Sequence, residues 1–167
     1  MFEMLPPMGF VRRLSVWWSC FWRQMAATLP IWLIDIAASV FWMARMRSAA
    51  GHLPLGPTLA FGLLVIVSTL LYLPISGYMT RKGFAAHALS VPATQTLQQA
   101  TMLALTGAGW GLLVSVLISI AVQWPLRHAG HPVPGQALGF ALNVAGALYV
   151  VLPRQARRLR LQAQAAA

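Results

Sequence analysis

Acidic residues are nearly missing from this chain. Of 167 residues only Glu3 and Asp35 are acidic, against 12 Lys and Arg, and charged residues make up 8% of the whole. An ordinary soluble domain is about one quarter charged, so this chain lacks the residues to clothe itself in a hydrated surface. Two carboxylates cannot support most metal or glycosidic chemistry. The single cysteine, Cys20, excludes an internal disulfide framework and a Cys-based metal site. With Trp and Phe close by, it reads as an inert interfacial thiol. Also missing are HExxH, GxSxG, a phosphate loop and CxxC. The expectation is a protein that is not an enzyme and carries no cofactor.

What the chain has in excess is apolar surface. Hydrophobic residues make up 59%, and the mean hydropathy is +0.69. The formal net charge is +10. Basic residues placed beside apolar runs are the product of positive-inside threading and contact with anionic lipid, rather than of nucleic-acid binding. Eleven of the 12 basic residues are Arg, with Lys82 the exception. Usage rich in Arg and Ala points to a GC-rich bacterial genome.

Four runs are long and apolar enough to span: about Leu29 to Met46, Thr58 to Tyr78, Ala100 to Trp124, and Gln136 to Leu152. A span takes ~17–25 residues to cross a ~30 Å hydrocarbon core. Unbroken apolar runs argue for helices over a barrel. The expected fold is an all-α integral membrane protein with four transmembrane helices in two hairpins. An amphipathic interfacial helix precedes them, where Trp17, Trp18 and Trp22 cluster with Arg23. The divisions are a cytoplasmic N-terminus with this helix (1–28), a first hairpin (29–78), a cytoplasmic connection (79–99), a second hairpin (100–153) and a basic tail (154–167). Arg154, Arg157, Arg158 and Arg160 of the tail face anionic headgroups.

The two hairpins look like copies. Residues 51–74 align with 130–153, and nine of 24 positions are identical: Gly51, His52, Gly56, Leu59, Phe61, Leu63, Val65, Leu73 and Pro74 of the first copy. Nine basic residues fall in the N-terminal segment, the 79–99 connection and the tail; the other three are Arg45, Arg47 and Arg127. That asymmetry places both termini in the cytoplasm of a bacterial inner membrane. Each half then crosses twice, so the repeats are parallel.

Within the spans Asp35 stands out. A carboxylate in hydrocarbon costs ~2.5–3.5 kcal/mol even on a lenient scale. Asp35 is either an ion-coupling group or a hydrogen-bonded carboxyl that holds helices together. Thr69, Ser115, Ser119 and Asn143 are its expected polar neighbours in the coupling case. A stripe of small residues four apart marks the third span: Gly107, Gly111, Ser115 and Ser119. The fourth carries Gly135, Gly139, Asn143 and Gly146. Such faces allow close helix packing. His52, His128 and His131 sit in the turns as weak metal candidates, with no acid or thiol beside them.

The segments Phe21-Trp22-Arg23, Leu33-Ile34-Asp35, Tyr72 and Thr80-Arg81-Lys82 resemble the RDD family of small bacterial membrane proteins. That resemblance implies a small membrane protein with an Arg before an Ile-Asp in its first span. The gap from Arg23 to Asp35 is longer here, the Gly-Lys-Arg core of the later motif is missing, and a fourth span is added.

The functional expectation is a non-catalytic accessory or assembly subunit. Its partners are membrane lipids, above all anionic headgroups, together with another membrane protein or further copies of itself. Docking would use the small-residue faces of the third and fourth spans. The alternative is a small ion-coupled carrier using Asp35 as a homo-oligomer.

Overall fold

In lipid a backbone amide finds no partner but another backbone group, so apolar runs of this length must become helices. The computed structural model describes residues 8–48, 55–130 and 132–165, and among them there is no strand. The helices are α1 (Phe10–Ser48), α2 (Leu55–Ala85), α3 (Leu97–Ile118), α4 (Trp124–His128), α5 (Pro132–Gly146) and α6 (Leu152–Gln164). Wide π-helical turns at Ser119–Gln123 and Ala147–Val151 join α3 to α4 and α5 to α6. Each turn lies just ahead of a proline, Pro125 or Pro153. A proline ring has no N–H and crowds the carbonyl four residues back, and a local widening relieves both problems. The chain thus forms four helices long and apolar enough to cross a membrane, the last two running Leu97–His128 and Val133–Gln164.

The helices overreach the spans expected from hydropathy. α1 is one helix of 39 residues, about 58 Å at 1.5 Å per residue, nearly twice a ~30 Å hydrocarbon core. Pro30 lies inside it, and no break separates an N-terminal helix from the span. The expected interfacial segment is the first half of α1 rather than an element of its own. Pro30 removes one hydrogen bond, and the flanking turns carry the helix through.

The excess length packs at the Arg-rich end. The buried cluster there is Met8, Val16, Cys20, Phe84, Leu89, Leu103, Leu152, Ala156 and Leu159, with Val91 against it. These residues come from Met8 just ahead of α1, the start of α1, the end of α2, the connection that follows, the start of α3, and α6. The apolar middle is different: in the most hydropathic window of the third span no residue is buried. The fold therefore has a packed helical foot and an apolar, outward-facing upper part.

Local chemistry fixes the foot. α2 ends in a turn where Leu89 N donates to Phe84 O at 3.3 Å, with Ala88 at φ 53°. Arg81 Nε donates to Pro92 O at 2.9 Å, and a terminal guanidinium nitrogen donates to Ala93 O. Thr96 and Gln99 form a capping box that starts α3. Gly77 faces the Ala100 carbonyl so closely that a Cβ would collide with backbone. Gly83 likewise makes room for Cys20.

Candidate functional site

A polar seam runs down the α1–α2 interface. Near its middle Ser68 Oγ donates to Asp35 Oδ1 at 2.7 Å, and Ser39 Oγ donates to Asp35 O at 2.6 Å. Toward the foot Gln24 Nε2 donates to Thr80 Oγ1 at 2.6 Å. Thr28 is buried and donates to Gln24 O at 2.8 Å; Thr80, also buried, donates to Ser76 O at 2.9 Å. The Cys20 thiol points at Thr80 O, 3.7 Å away. Hydroxyls with a back-bond to their own helix can enter an apolar interface without an orphaned donor.

Asp35 is half-buried, and its carboxyl opens into a recess of ≈ 430 Å³. Ile31, Trp32, Ile36, Val65, Thr69 and Tyr72 form much of the wall. Tyr72 also lines a second cavity, ≈ 230 Å³, that lies between the two hairpins near the foot. That cavity carries Gln24, Ser76 and Gln155 among apolar side chains such as Trp17, Ala108 and Val151. One aromatic ring is thus the common wall of the Asp35 recess and the inter-hairpin cavity.

Of the four polar neighbours expected of Asp35, Thr69 shares its recess and the other three lie in the second half of the chain. Thr69 lines the recess, but its hydroxyl donates to Val65 O at 2.8 Å on its own helix. Ser115 Oγ donates to Asn143 Oδ1 at 2.8 Å inside the second hairpin, and Asn143 Nδ2 donates to Gly139 O at 2.8 Å. Ser119 Oγ donates to Gln123 Oε1 at 3.1 Å. Ser68 is the contact the sequence reading missed. Reflecting position 35 about the midpoint of positions 51 and 52 in the sequence lands on 68, and the same reflection relates Trp42 to Phe61, stacked at 5.1 Å. An antiparallel hairpin register would have found it.

The small residues of the third and fourth spans mostly meet within the chain. A Cβ on Gly107 would strike the Gln155 amide, one on Gly139 would strike Gln123, and one on Gly146 a methyl of Val114. On Gly135 it would come to 3.1 Å from Leu126 Cβ. Gly111 of the stripe, like its neighbour Gly109, has nothing within 4 Å of such an atom.

At the Arg-rich end Trp17 stacks on Phe21 with centroids 5.4 Å apart, while Trp18 and Trp22 are exposed. Arg23 is exposed and donates to Ser19 Oγ at 3.3 Å, a dozen residues from Asp35 along α1. Arg154 lies over the Trp110 ring at 4.3 Å, Arg157 is exposed, and Arg158 and Arg160 are partly buried. At the other end His128 Nδ1 lies 2.9 Å from Trp124 O, and its ring packs on Trp124. His52 and His131 lie outside the described residues. Among the described residues no three His, Cys, Asp or Glu come together as a metal site. Compared with protein-family models, curated proteins and solved structures, the chain finds no match, so the resemblance noted for residues 21–82 rests on those short motifs alone.

Proposed function

We propose that this chain is a non-catalytic accessory or assembly subunit of a larger complex in a bacterial inner membrane, with both termini cytoplasmic. The observation that carries the reading is the Asp35 carboxyl, held by Ser68 and open through the recess on the first hairpin. A carboxylate facing hydrocarbon costs ~2.5–3.5 kcal/mol, and one hydroxyl donor offsets only part of that. A partner helix that places a Lys or Arg in the recess supplies the rest. The small-residue faces proposed for docking from sequence are largely occupied within the chain, which moves the docking surface to α1 and α2. The orientation rests on the nine basic residues of the N-terminal segment, the 79–99 connection and the tail, against Arg45, Arg47 and Arg127.

The test is extraction of the tagged chain from its native membrane in mild detergent, followed by mass spectrometry. The wild type should retain a membrane partner at fixed stoichiometry. Asp35→Asn keeps a hydrogen-bond acceptor for Ser68 but removes the charge, and should lose that partner about tenfold. A wild type that emerges as a monomer or pure homo-oligomer overturns the reading.

The shared Tyr72 wall favours one second reading, an ion-coupled carrier in which Asp35 exchanges a proton. Under it, purified protein in proteoliposomes shows pH-dependent flux, which Asp35→Asn abolishes while assembly is unchanged. Absence of flux in the wild type removes it.

A further inference from the structure

A groove of ≈ 550 Å³ separates α3 from α6. α3 contributes Met102, Thr106 and Trp110 at four-residue intervals, hence on one face. α6 contributes Arg154, Arg157 and Arg158. Among the described residues the lining holds three guanidinium groups and no carboxylate. The walls are fixed: Gln162 Nε2 donates to Gln99 O at 3.1 Å, and Gln95 Nε2 donates to Gln162 Oε1 at 3.3 Å. Arg154 is stacked on Trp110, so one guanidinium plane is oriented before any ligand arrives.

Depth decides what can enter. From Trp110 to His128 the third span covers about 27 Å, close to a ~30 Å hydrocarbon core. Placing His128 at the far face of that core puts Trp110 and Arg154 at the near boundary, within the Ala100–Trp124 run, where indole rings prefer to lie. The rest of the groove extends away from the lipid tails, at headgroup level. Its inner end offers the Trp110 ring and Met102 beside the Arg154 guanidinium, and its outer end adds Arg157, Arg158 and Gln162, so apolar and cationic contacts lie side by side as an anionic amphiphile requires.

We infer that this groove is a binding site for one anionic phospholipid, with the phosphodiester held by Arg157 and Arg158 and an acyl chain passing Trp110. Guanidinium forks match phosphate oxygens in pairs. A headgroup with an ammonium would bring a fourth positive charge beside three guanidiniums, so phosphatidylglycerol is preferred to phosphatidylethanolamine. The site rests on the membrane reading and is independent of the partner proposed for Asp35.

The experiment uses the full chain, purified with and without added lipid and examined by native mass spectrometry from detergent. Phosphatidylglycerol should be retained at one molecule per chain, and phosphatidylethanolamine and inorganic phosphate should not displace it. The double variant Arg157→Gln/Arg158→Gln should lower retention about tenfold or more, since each basic residue near the surface contributes up to ~1 kcal/mol. The control Arg12→Gln/Lys82→Gln removes equal charge outside the groove, from two exposed positions, and should change retention less than about twofold. Equal losses in both variants would mean general charge attraction and overturn the site, as would displacement by inorganic phosphate. Wild-type protein labelled with photoactivatable phosphatidylglycerol gives a readout that needs no variant. Crosslinks should map to 98–110 and 154–165; crosslinks mapping elsewhere overturn the proposal.

Discussion

Among the described glycines Gly77 lies closest to a neighbouring helix backbone, between α2 and α3, and replacing it by Ala tests that contact. A Cβ on Gly77 would overlap the carbonyl, carbon and Cα of Ala100, all backbone atoms, and Ala100 is fully buried. No rotamer change relieves such a clash, so the two helices must separate. Overpacking costs ~1–3 kcal/mol, and a backbone obstacle puts this case in the upper half, about 2–3 kcal/mol. Opposing it is the helix preference of Ala over Gly, ~1 kcal/mol. The net expectation is a loss of about 1–2 kcal/mol. Gly62→Ala isolates the opposing effect, because nothing lies within 4 Å of a Cβ there; it should be neutral or stabilising by up to ~1 kcal/mol. Reversible unfolding in mixed detergent and SDS micelles, followed by far-ultraviolet circular dichroism, measures both variants. The two should differ by about 2–3 kcal/mol. A Gly77→Ala protein as stable as Gly62→Ala would refute the contact and the placement of α3 against α2.

The same unfolding assay checks four further expectations. Ala88→Gly should stabilise the protein by ~1 kcal/mol, because φ 53° is a left-handed conformation that Ala adopts at a cost and Gly does not. Thr96→Ala removes the side-chain acceptor of Gln99 N and should cost ~1 kcal/mol at the start of α3. Ser115→Ala and Asn143→Ala, with their double variant, should show a coupling near ~0.6 kcal/mol, the usual size for hydrogen bonds between membrane helices; zero coupling would mean the pair does not form. Gln24→Leu leaves the Thr80 hydroxyl without its α1 partner and should cost ~1–2 kcal/mol, whereas Gln98→Leu, on an exposed position of α3, should cost far less.

The four helices were legible because an apolar run of span length leaves the backbone no other choice. Their ends were not. Hydropathy marks the part of a helix that lipid can cover, so it starts the first span near Leu29, while the helix starts at Phe10. Residues 10–28 are held by Val16 and Cys20 packing against Phe84 and Leu159, contacts between segments far apart in sequence. No local pattern encodes them. The start of α3 is a different kind of miss. Thr96-Leu-Gln-Gln99 has the spacing of a capping box and marks the helix start on sight.

Glycines show most clearly where sequence reading stops. The four-residue stripe in the third span predicted close approach at Gly107 and Gly111 alike. One meets the Gln155 amide and the other faces open space. The closest approaches to a neighbouring backbone, at Gly77 and Gly83, belong to no stripe that drew notice. A glycine permits contact but does not select the neighbour; that depends on the rotation of the opposite helix. The polar residues are more informative. Gln24, Asp35, Ser68 and Thr80 sit in otherwise apolar helices, and a buried hydroxyl or amide needs a partner. In an antiparallel pair the candidates are few. Reflection about the midpoint of positions 51 and 52 assigns Ser68 to Asp35 and comes within one residue of assigning Thr80 to Gln24, as the hydrogen bonds have it. The register of a membrane hairpin is therefore best read from its few polar residues, and its packing from the structure.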